Sequence, residues 1–226
     1  MNLQTIYRGK ELPLADYFES KKASLATEFL TEYPEFNSIE PLHNSDLLQN
    51  KITEALGNRT QPGPPWELLQ IKGTYHFNGP YRPGLYSIDE SRSKFPTATS
   101  FINYFGEAVR SISYSVLEPH SIIARHWDHE NREGEFIRVH IPLIIPPGDL
   151  GMEVNGEVIN WSETIGFNNL LFHSVWNFTD YRRLILILDL QRSHLGLPNE
   201  PPWTEKIKTD AVPFPKTSKF IARQPT

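Results

Sequence analysis

The segment from His120 to Ile145 concentrates four of the eight histidines of the chain. Within it, His126 and Asp128 are two residues apart, so that in a strand their side chains project from the same face, roughly 7 Å apart at Cα. An imidazole and a carboxylate in that arrangement can chelate a divalent metal. Two histidines and one carboxylate on one face of an octahedron are the usual ligands of non-haem Fe(II) oxygenases. His173, in the apolar run 170–176, is the candidate second histidine.

A candidate anion site lies ten residues beyond His173. Arg183 opens the apolar strand 183–190, and a guanidinium on an inward face cannot lose its proton and therefore requires an anion. A dicarboxylate such as 2-oxoglutarate meets that requirement with a bidentate pair. Arg138 and His140, again two residues apart, add a cationic and a second polar group on a neighbouring strand.

The elements that must position these residues are mainly short strands. Apolar runs separated by turn residues predict strands at 66–72, 111–118, 121–127, 135–145, 152–160, 164–168, 170–176 and 183–190. Asn155-Gly156 is a typical type I′ hairpin turn. In the last strand, leucines alternate with Arg183, Ile185, Ile187 and Asp189, so both faces are largely apolar and the strand lies in the middle of the fold.

A helix is predicted at 14–33, where apolar residues recur close to every 3.6 positions. Further helices are predicted at 45–56, between Ser45 as N-cap and Gly57 as a stop, and at 97–105. The expected fold is therefore mainly β, a jelly roll with N-terminal helices packed on one side. We expect one domain over 1–226, with a helical part at 1–65, a β core at 66–192 and a proline-rich C-terminal tail at 193–226 that drapes the surface.

Composition excludes several classes of protein. The chain has no cysteine, which rules out thiolate metal sites, Fe–S clusters and disulfides. The net charge of −5 makes nucleic acid and anionic membranes poor partners. The N-terminus lacks the pattern of a signal peptide, and no apolar run is long enough to cross a bilayer. These features predict a cytoplasmic protein, with its oligomeric state left open.

The order and spacing of five segments between Phe95 and Arg192 are similar to a known family. The segments begin at Ser115 (SVLEP), His126, Arg138 (RVH), Phe172 (FHSVWN) and Arg183 (RLILILD). They resemble the aspartyl/asparaginyl β-hydroxylases, a group of Fe(II)- and 2-oxoglutarate-dependent oxygenases. The run Glu133–His140 (EGEFIRVH) also resembles the cis-proline hydroxylases of the same superfamily.

The resemblance implies a double-stranded β-helix in which His126 and His173 ligate iron and Arg183 binds the distal carboxylate of 2-oxoglutarate. It also implies that Ser115, Arg138 and His140 contact the co-substrate. The animal peptide hydroxylases of this family have glycine at the position of Asp128. Here the carboxylate ligand is restored, as in the proline hydroxylases.

The residues and the resemblance together predict an Fe(II)- and 2-oxoglutarate-dependent dioxygenase. It would use O₂ to hydroxylate an aliphatic C–H of a small-molecule substrate, an amino acid or amino-acid derivative, or of a peptidyl amino acid, and would release succinate and CO₂. Asp128 argues against a halogenase, which needs that coordination position for halide. Two alternatives are a cupin-like metalloprotein without 2-oxoglutarate and a non-catalytic binding module on the same scaffold. Either would leave a buried Arg183 without its anion, which costs several kcal/mol.

Overall fold

The computed structural model describes residues 6–37, 66–73, 84–85, 88–128 and 134–200. Eleven strands form in these residues: β1 Ile6–Arg8, β2 Trp66–Lys72, β3 Gly84–Leu85, β4 Val109–Leu117, β5 Ser121–His126, β6 Phe136–Ile144, β7 Leu150–Val154, β8 Glu157–Ile159, β9 Ile165–Phe167, β10 His173–Asn177 and β11 Arg183–Gln191. Three α-helices accompany them: α1 Ala15–Glu32, α2 Ile88–Lys94 and α3 Pro96–Phe105. None of the described helices is both long and apolar enough to cross a membrane.

The strands form two sheets. The larger sheet has the order β1-β9-β6-β11-β4-β2-β3, and the smaller sheet has the order β5-β10-β7-β8. Every described pair is antiparallel except β2 with β3. Two facing antiparallel sheets with helices outside the larger one confirm the predicted jelly roll, or double-stranded β-helix.

Strand β11 lies between β6 and β4 in the larger sheet, as its two apolar faces predict. Its four leucines belong to a core shared with the helices, where Phe18 and Phe29 of α1 and Phe101 and Phe105 of α3 are buried. The alternate residues of β11 point to the other side, towards the smaller sheet. The period of two therefore separates a helix-facing core from the face that carries Arg183 and Asp189.

Most of the predicted elements are confirmed, with corrections at their boundaries. The predicted strand 152–160 is a hairpin, β7 and β8, because Asn155 and Gly156 adopt φ of 50° and 88° in the turn between them. The predicted strand 170–176 begins only at His173, because Leu170 and Leu171 donate backbone hydrogen bonds back to Asn168.

Three of these strands and helices were not predicted, the short strands β1 and β3 and helix α2. The predicted helix 45–56 and the tail beyond residue 200 lie outside the described residues. Near the beginning of the predicted tail, Glu200 is buried and forms an ion pair of 2.8 Å with the buried Arg192. The division of the chain into three parts stays a prediction.

Glu28 of α1 joins the helices to the larger sheet. Its carboxylate accepts hydrogen bonds from the backbone N–H groups of Thr97 and Ala98 in the first turn of α3, at 2.7 and 2.8 Å. It also accepts one from the hydroxyl of Tyr114 on β4, at 2.6 Å. Glu28 therefore acts as an N-cap supplied by another helix, with its negative charge at the positive end of α3.

We expect Glu28→Gln to lower the free energy of unfolding by about 2 kcal/mol, because an amide supplies only one acceptor oxygen and no charge to these donors. Urea denaturation of the metal-free protein measures the change. Glu32→Gln is the matched control, since Glu32 pairs with Lys94 on a partly exposed surface. A loss no greater for Glu28→Gln than for the control would contradict this role.

Candidate metal and anion site

The structure brings His126, Asp128 and His173 together at one end of the smaller sheet. His126 ends β5 and His173 begins β10, and the two residues are direct partners in the antiparallel pair. Their rings lie 4.2 Å apart between centroids. Asp128 follows β5 by two residues, where its backbone N–H donates to the carbonyl of Asn169 at 3.0 Å. One ligand atom of each residue lies within 4.8 Å of the others.

The donor set fits a divalent transition metal. Asp128 Oδ1 lies 3.9 Å from Nε2 of His126, and Oδ2 lies 3.9 Å from Nε2 of His173. His173 Nδ1 lies 2.9 Å from the carbonyl oxygen of Leu171, which can only accept, so Nδ1 carries the proton. The lone pair of Nε2 is thereby directed at the cluster, as in most metal-binding histidines.

The charge on Asp128 is stabilised by its neighbours. Burial raises the pKa of this carboxyl, but the Arg138 guanidinium and the two histidines outweigh burial and hold the pKa well below its usual range. The Oδ2 atom accepts hydrogen bonds from Arg138 Nη1 and from Asn169 Nδ2, the latter at 3.1 Å. Asp128 is therefore an anion at neutral pH, the state that a metal ligand requires.

The pKa of His173 gives a prediction for acid stability. Burial, followed by the charge of His126, lowers it from 6.5 to about 3. Between pH 7 and pH 5 the unfolded chain takes up a proton at this histidine and the folded chain does not, so stability falls with pH. We expect the metal-free protein to lose about 2 kcal/mol from this residue at pH 5.

Urea denaturation of the chelator-treated protein at pH 5 and pH 7 measures this loss. In His173→Leu the dependence on pH should weaken by the contribution of one proton. An unchanged dependence in that variant would show that His173 is not buried in its neutral form.

A buried cation lies at the beginning of β11. Arg183 is 1% exposed, and its Cζ lies 4.7 Å from the centre of the Trp161 ring. Its Nη1 reaches only the carbonyl and hydroxyl oxygens of Ser115, at 3.4 and 3.5 Å, and its Nε has no hydrogen-bond partner. In the part of the chain that the structure describes, no carboxylate lies within 4.0 Å of this guanidinium. Burial lowers its pKa to about 9, so Arg183 is charged at neutral pH.

His140 has residues of the His–Asp–His cluster and Arg183 among the charged neighbours that act on its pKa. It is opposite Ile187 of β11 and Ile165 of β9, with its ring packed edge-on against Phe167 at 4.9 Å. Burial lowers the pKa of His140 well below its usual value, and the charges of Arg138 and Arg183 lower it further. Its Nδ1 is buried without a partner. His140 Nδ1 and Arg183 Nε are thus two buried polar atoms of the barrel without a hydrogen-bond partner.

Arg138 has a different environment from the one that the resemblance implies. Its Nε and Nη2 donate to the two oxygens of Asp189, at 2.8 and 2.9 Å, and its Nη1 donates to Asp128. These contacts are to protein carboxylates, so a contact between Arg138 and a co-substrate stays a prediction. Arg138 and His140 are two residues apart on β6, as predicted, and the charge of Arg138 lowers the pKa of His140.

Three further residues of the site were given no role by sequence reasoning. Asp189 had the clearest signal, because its spacing from Arg183 places both on one face of β11. Nothing in the sequence indicated Asn169 or Trp161. The Asn169 carbonyl contacts Asp128, and the Trp161 ring contacts Arg183, only because the fold brings distant segments together.

The fold is thus a jelly roll with a His–Asp–His cluster that could hold a metal ion and with a buried arginine, Arg183, in the same barrel. The profile of the aspartyl/asparaginyl beta-hydroxylase family matches residues 19–193, and the chain belongs to that family. The resemblance seen in the sequence is thereby confirmed. Membership supports an enzyme of the hydroxylase type, an oxidoreductase.

Individual relatives are more distant. The ornithine lipid ester-linked acyl 2-hydroxylase of Rhizobium tropici is 32% identical over 80 residues, or 34% of this chain. The chain spans 27% of the length of that relative. A 2OG-Fe(II) oxygenase family oxidoreductase from Burkholderia pseudomallei is 17% identical, with 62% of this chain and 70% of that chain covered at a TM-score of 0.36. The Cupin_2 domain of an XRE family transcriptional regulator from Enterobacter cloacae is also 17% identical, with coverages of 35% and 79% and a TM-score of 0.29.

Proposed function

We propose that this protein is an Fe(II)- and 2-oxoglutarate-dependent dioxygenase that hydroxylates an aliphatic C–H of an amino acid, or of an amino-acid-derived or peptidyl substrate. Succinate and CO₂ would be the co-products. The observation that carries the proposal is the charged, buried Arg183 without a carboxylate among the described residues, inside the same barrel as the His–Asp–His cluster. Family membership supports the hydroxylase class.

In this proposal His126, Asp128 and His173 would hold the iron, as two histidines and one carboxylate commonly do in non-haem oxygenases. When bound there, Fe(II) would supply the activation of O₂ and the oxidation of the substrate. The chain contributes one carboxylate and two histidines, and the Leu171 carbonyl fixes the His173 tautomer. The buried side of the cluster excludes water, since the side chain of His173 is only 5% exposed.

The co-substrate would lie between the cluster and Arg183. A carboxylate bound to this guanidinium would give a buried cation its missing anion, with a bidentate pair that also fixes orientation. Ser115, whose hydroxyl lies 3.5 Å from Arg183 Nη1, would hold the same carboxylate. His140, with its buried and unpartnered Nδ1, would contact the middle or the near end of the molecule.

The substrate would approach on the His126 side. The side chain of His126 is 31% exposed, against 16% for Asp128 and 5% for His173, so the cluster opens towards solvent past this residue. By its name the Rhizobium tropici relative acts on the acyl chain of an ornithine lipid. A lipid acyl chain should therefore be tested as a substrate as well as amino acids and peptides.

A cytoplasmic location and the absence of nucleic-acid and membrane partners are part of this proposal, and they rest on the sequence alone. Two other functions would use the same scaffold, a cupin-like metalloprotein without 2-oxoglutarate and a non-catalytic binding module. Neither would account for the buried charge of Arg183.

Turnover of 2-oxoglutarate tests the proposal before the substrate is known. The protein would be supplied in air with Fe(II), ascorbate and 2-oxoglutarate, and succinate followed by proton NMR, alone and with free amino acids, peptides or an ornithine lipid. We expect iron-dependent succinate formation that increases with a true substrate. Tight metal binding without any succinate would favour the cupin-like alternative, and neither metal binding nor succinate would favour the binding module.

A further inference from the structure

Asp189 is a buried carboxylate of the larger sheet that takes no part in the proposed reaction. It is 4% exposed and lies on the inward face of β11, six residues after Arg183. Strand register places it directly opposite Arg138 on β6 and Ser111 on β4. The hydroxyl of Ser111 donates to Asp189 Oδ2 at 2.8 Å. Three neighbouring strands therefore fix the position of this carboxylate.

The contacts of Asp189 determine what Arg138 can do. Asp189 takes the Nε and Nη2 atoms of the guanidinium with one oxygen each, the bidentate geometry that best resists rotation. The remaining nitrogen, Nη1, is thereby directed at Oδ2 of Asp128. Asn169 donates to the same oxygen. Both donors hold Oδ2, which leaves Oδ1, the oxygen 3.9 Å from His126 Nε2, free of these bonds.

The charges lead to the same conclusion. Arg138 alone beside Asp128 would neutralise that carboxylate and weaken its attraction for a cation. With Asp189 on the other side, the guanidinium is shared between two carboxylates, and the group of three carries a net charge of −1. The buried cluster therefore keeps a negative charge for a divalent cation while Asp128 remains held in place.

We infer that Asp189 is a positioning residue of the metal site, which acts through Arg138 to orient Asp128 as a ligand through a single oxygen, Oδ1. The inference rests on the part of the proposed function that places a metal at the cluster, and it does not depend on 2-oxoglutarate. It assigns to Arg138 the support of the metal ligand. Ligating carboxylates are commonly held by such outer hydrogen bonds, whose removal weakens metal binding 10- to 100-fold.

Co(II) binding to the full chain tests the inference without turnover. Metal-free protein would be titrated anaerobically with Co(II), with affinity taken from calorimetry and ligand geometry from the visible absorption bands. For Asp189→Asn we expect a Kd raised about 10- to 100-fold and altered bands. Ser111→Ala should change both in the same direction but less. Asp149→Asn is the control, since Asp149 accepts from Trp176 Nε1 away from the cluster, and its Kd should equal that of the wild type.

A double variant separates positioning from stability. Arg138→Met with Asp189→Leu replaces the buried pair by apolar groups of similar volume, a change that often preserves or increases stability. We therefore expect the double variant to remain folded in thermal unfolding. If Asp189 positions Asp128, this folded variant still binds Co(II) weakly. If it restores the wild-type Kd, or if Asp189→Asn binds as tightly as the control, Asp189 is only structural and the inference is wrong. Failure of the wild type to bind Co(II) would instead overturn the metal site itself.

Discussion

Replacing Asp128 by alanine is expected to lower the affinity for Fe(II) by at least about 100-fold and to abolish substrate hydroxylation. The variant loses the one anionic ligand of the cluster, and it leaves Arg138 Nη1 without its acceptor close to the bound metal. The remaining donors would be two imidazoles beside a guanidinium whose charge Asp189 balances, so the site would keep no net negative charge to attract a divalent cation. Calorimetric titration with Fe(II) under nitrogen measures the affinity, and product formation is followed in air.

The matched control is Asp180→Asn, which removes a carboxylate from the exposed pair with His120 at 2.9 Å and should leave iron binding unchanged. Far-UV circular dichroism and thermal unfolding establish that the Asp128 variant is folded. If folded Asp128→Ala forms product at the wild-type rate, Asp128 is not a ligand.

Removing the charge of Arg183 is expected to raise the KM for 2-oxoglutarate roughly 100-fold, because a desolvated carboxylate loses its charged partner. In Arg183→Met the side chain keeps much of its length and its packing against Trp161. The affinity for Fe(II) alone should not change. The metal-free variant should be at least as stable as the wild type, because it no longer contains a buried cation without a neighbouring anion.

Arg182→Met is the neighbouring control, since Arg182 pairs with Glu118 at 3.0 Å on a partly exposed surface. Initial rates of succinate formation at a range of 2-oxoglutarate concentrations measure KM, and urea denaturation measures stability. An unaltered dependence on 2-oxoglutarate together with a loss of stability would make Arg183 a structural residue.

Much of the architecture could be predicted because local patterns determine it. The alternation in β11 places Arg183 and Asp189 on one face and the leucines on the other, since a strand has a period of two whatever it pairs with. Asn155-Gly156 determines its hairpin for an equally local reason, because both residues tolerate positive φ. The spacing of His126 and Asp128 predicted their pairing in the same way, and the resemblance implied His126 and His173 as iron ligands.

What could not be predicted depends on contacts between distant segments. Arg138 and Asp189 are 51 residues apart, and only the register of β6 with β11 places them opposite each other. The same limit applies to Asn169, whose carbonyl anchors Asp128 across 41 positions. Helix α2 was not predicted because its seven residues are too few and too polar for a helical period to emerge.

Iron and 2-oxoglutarate are proposed to bind together in this barrel, and anaerobic titration tests this binding most directly. Metal-free protein receives Fe(II) and then 2-oxoglutarate, and the visible metal-to-ligand charge-transfer band of the chelate is recorded. We predict that the band appears in the wild type, is lost in His173→Ala, and requires much more 2-oxoglutarate in Arg183→Met. A folded wild-type protein that never develops the band would contradict the assignment as an iron- and 2-oxoglutarate-dependent oxygenase.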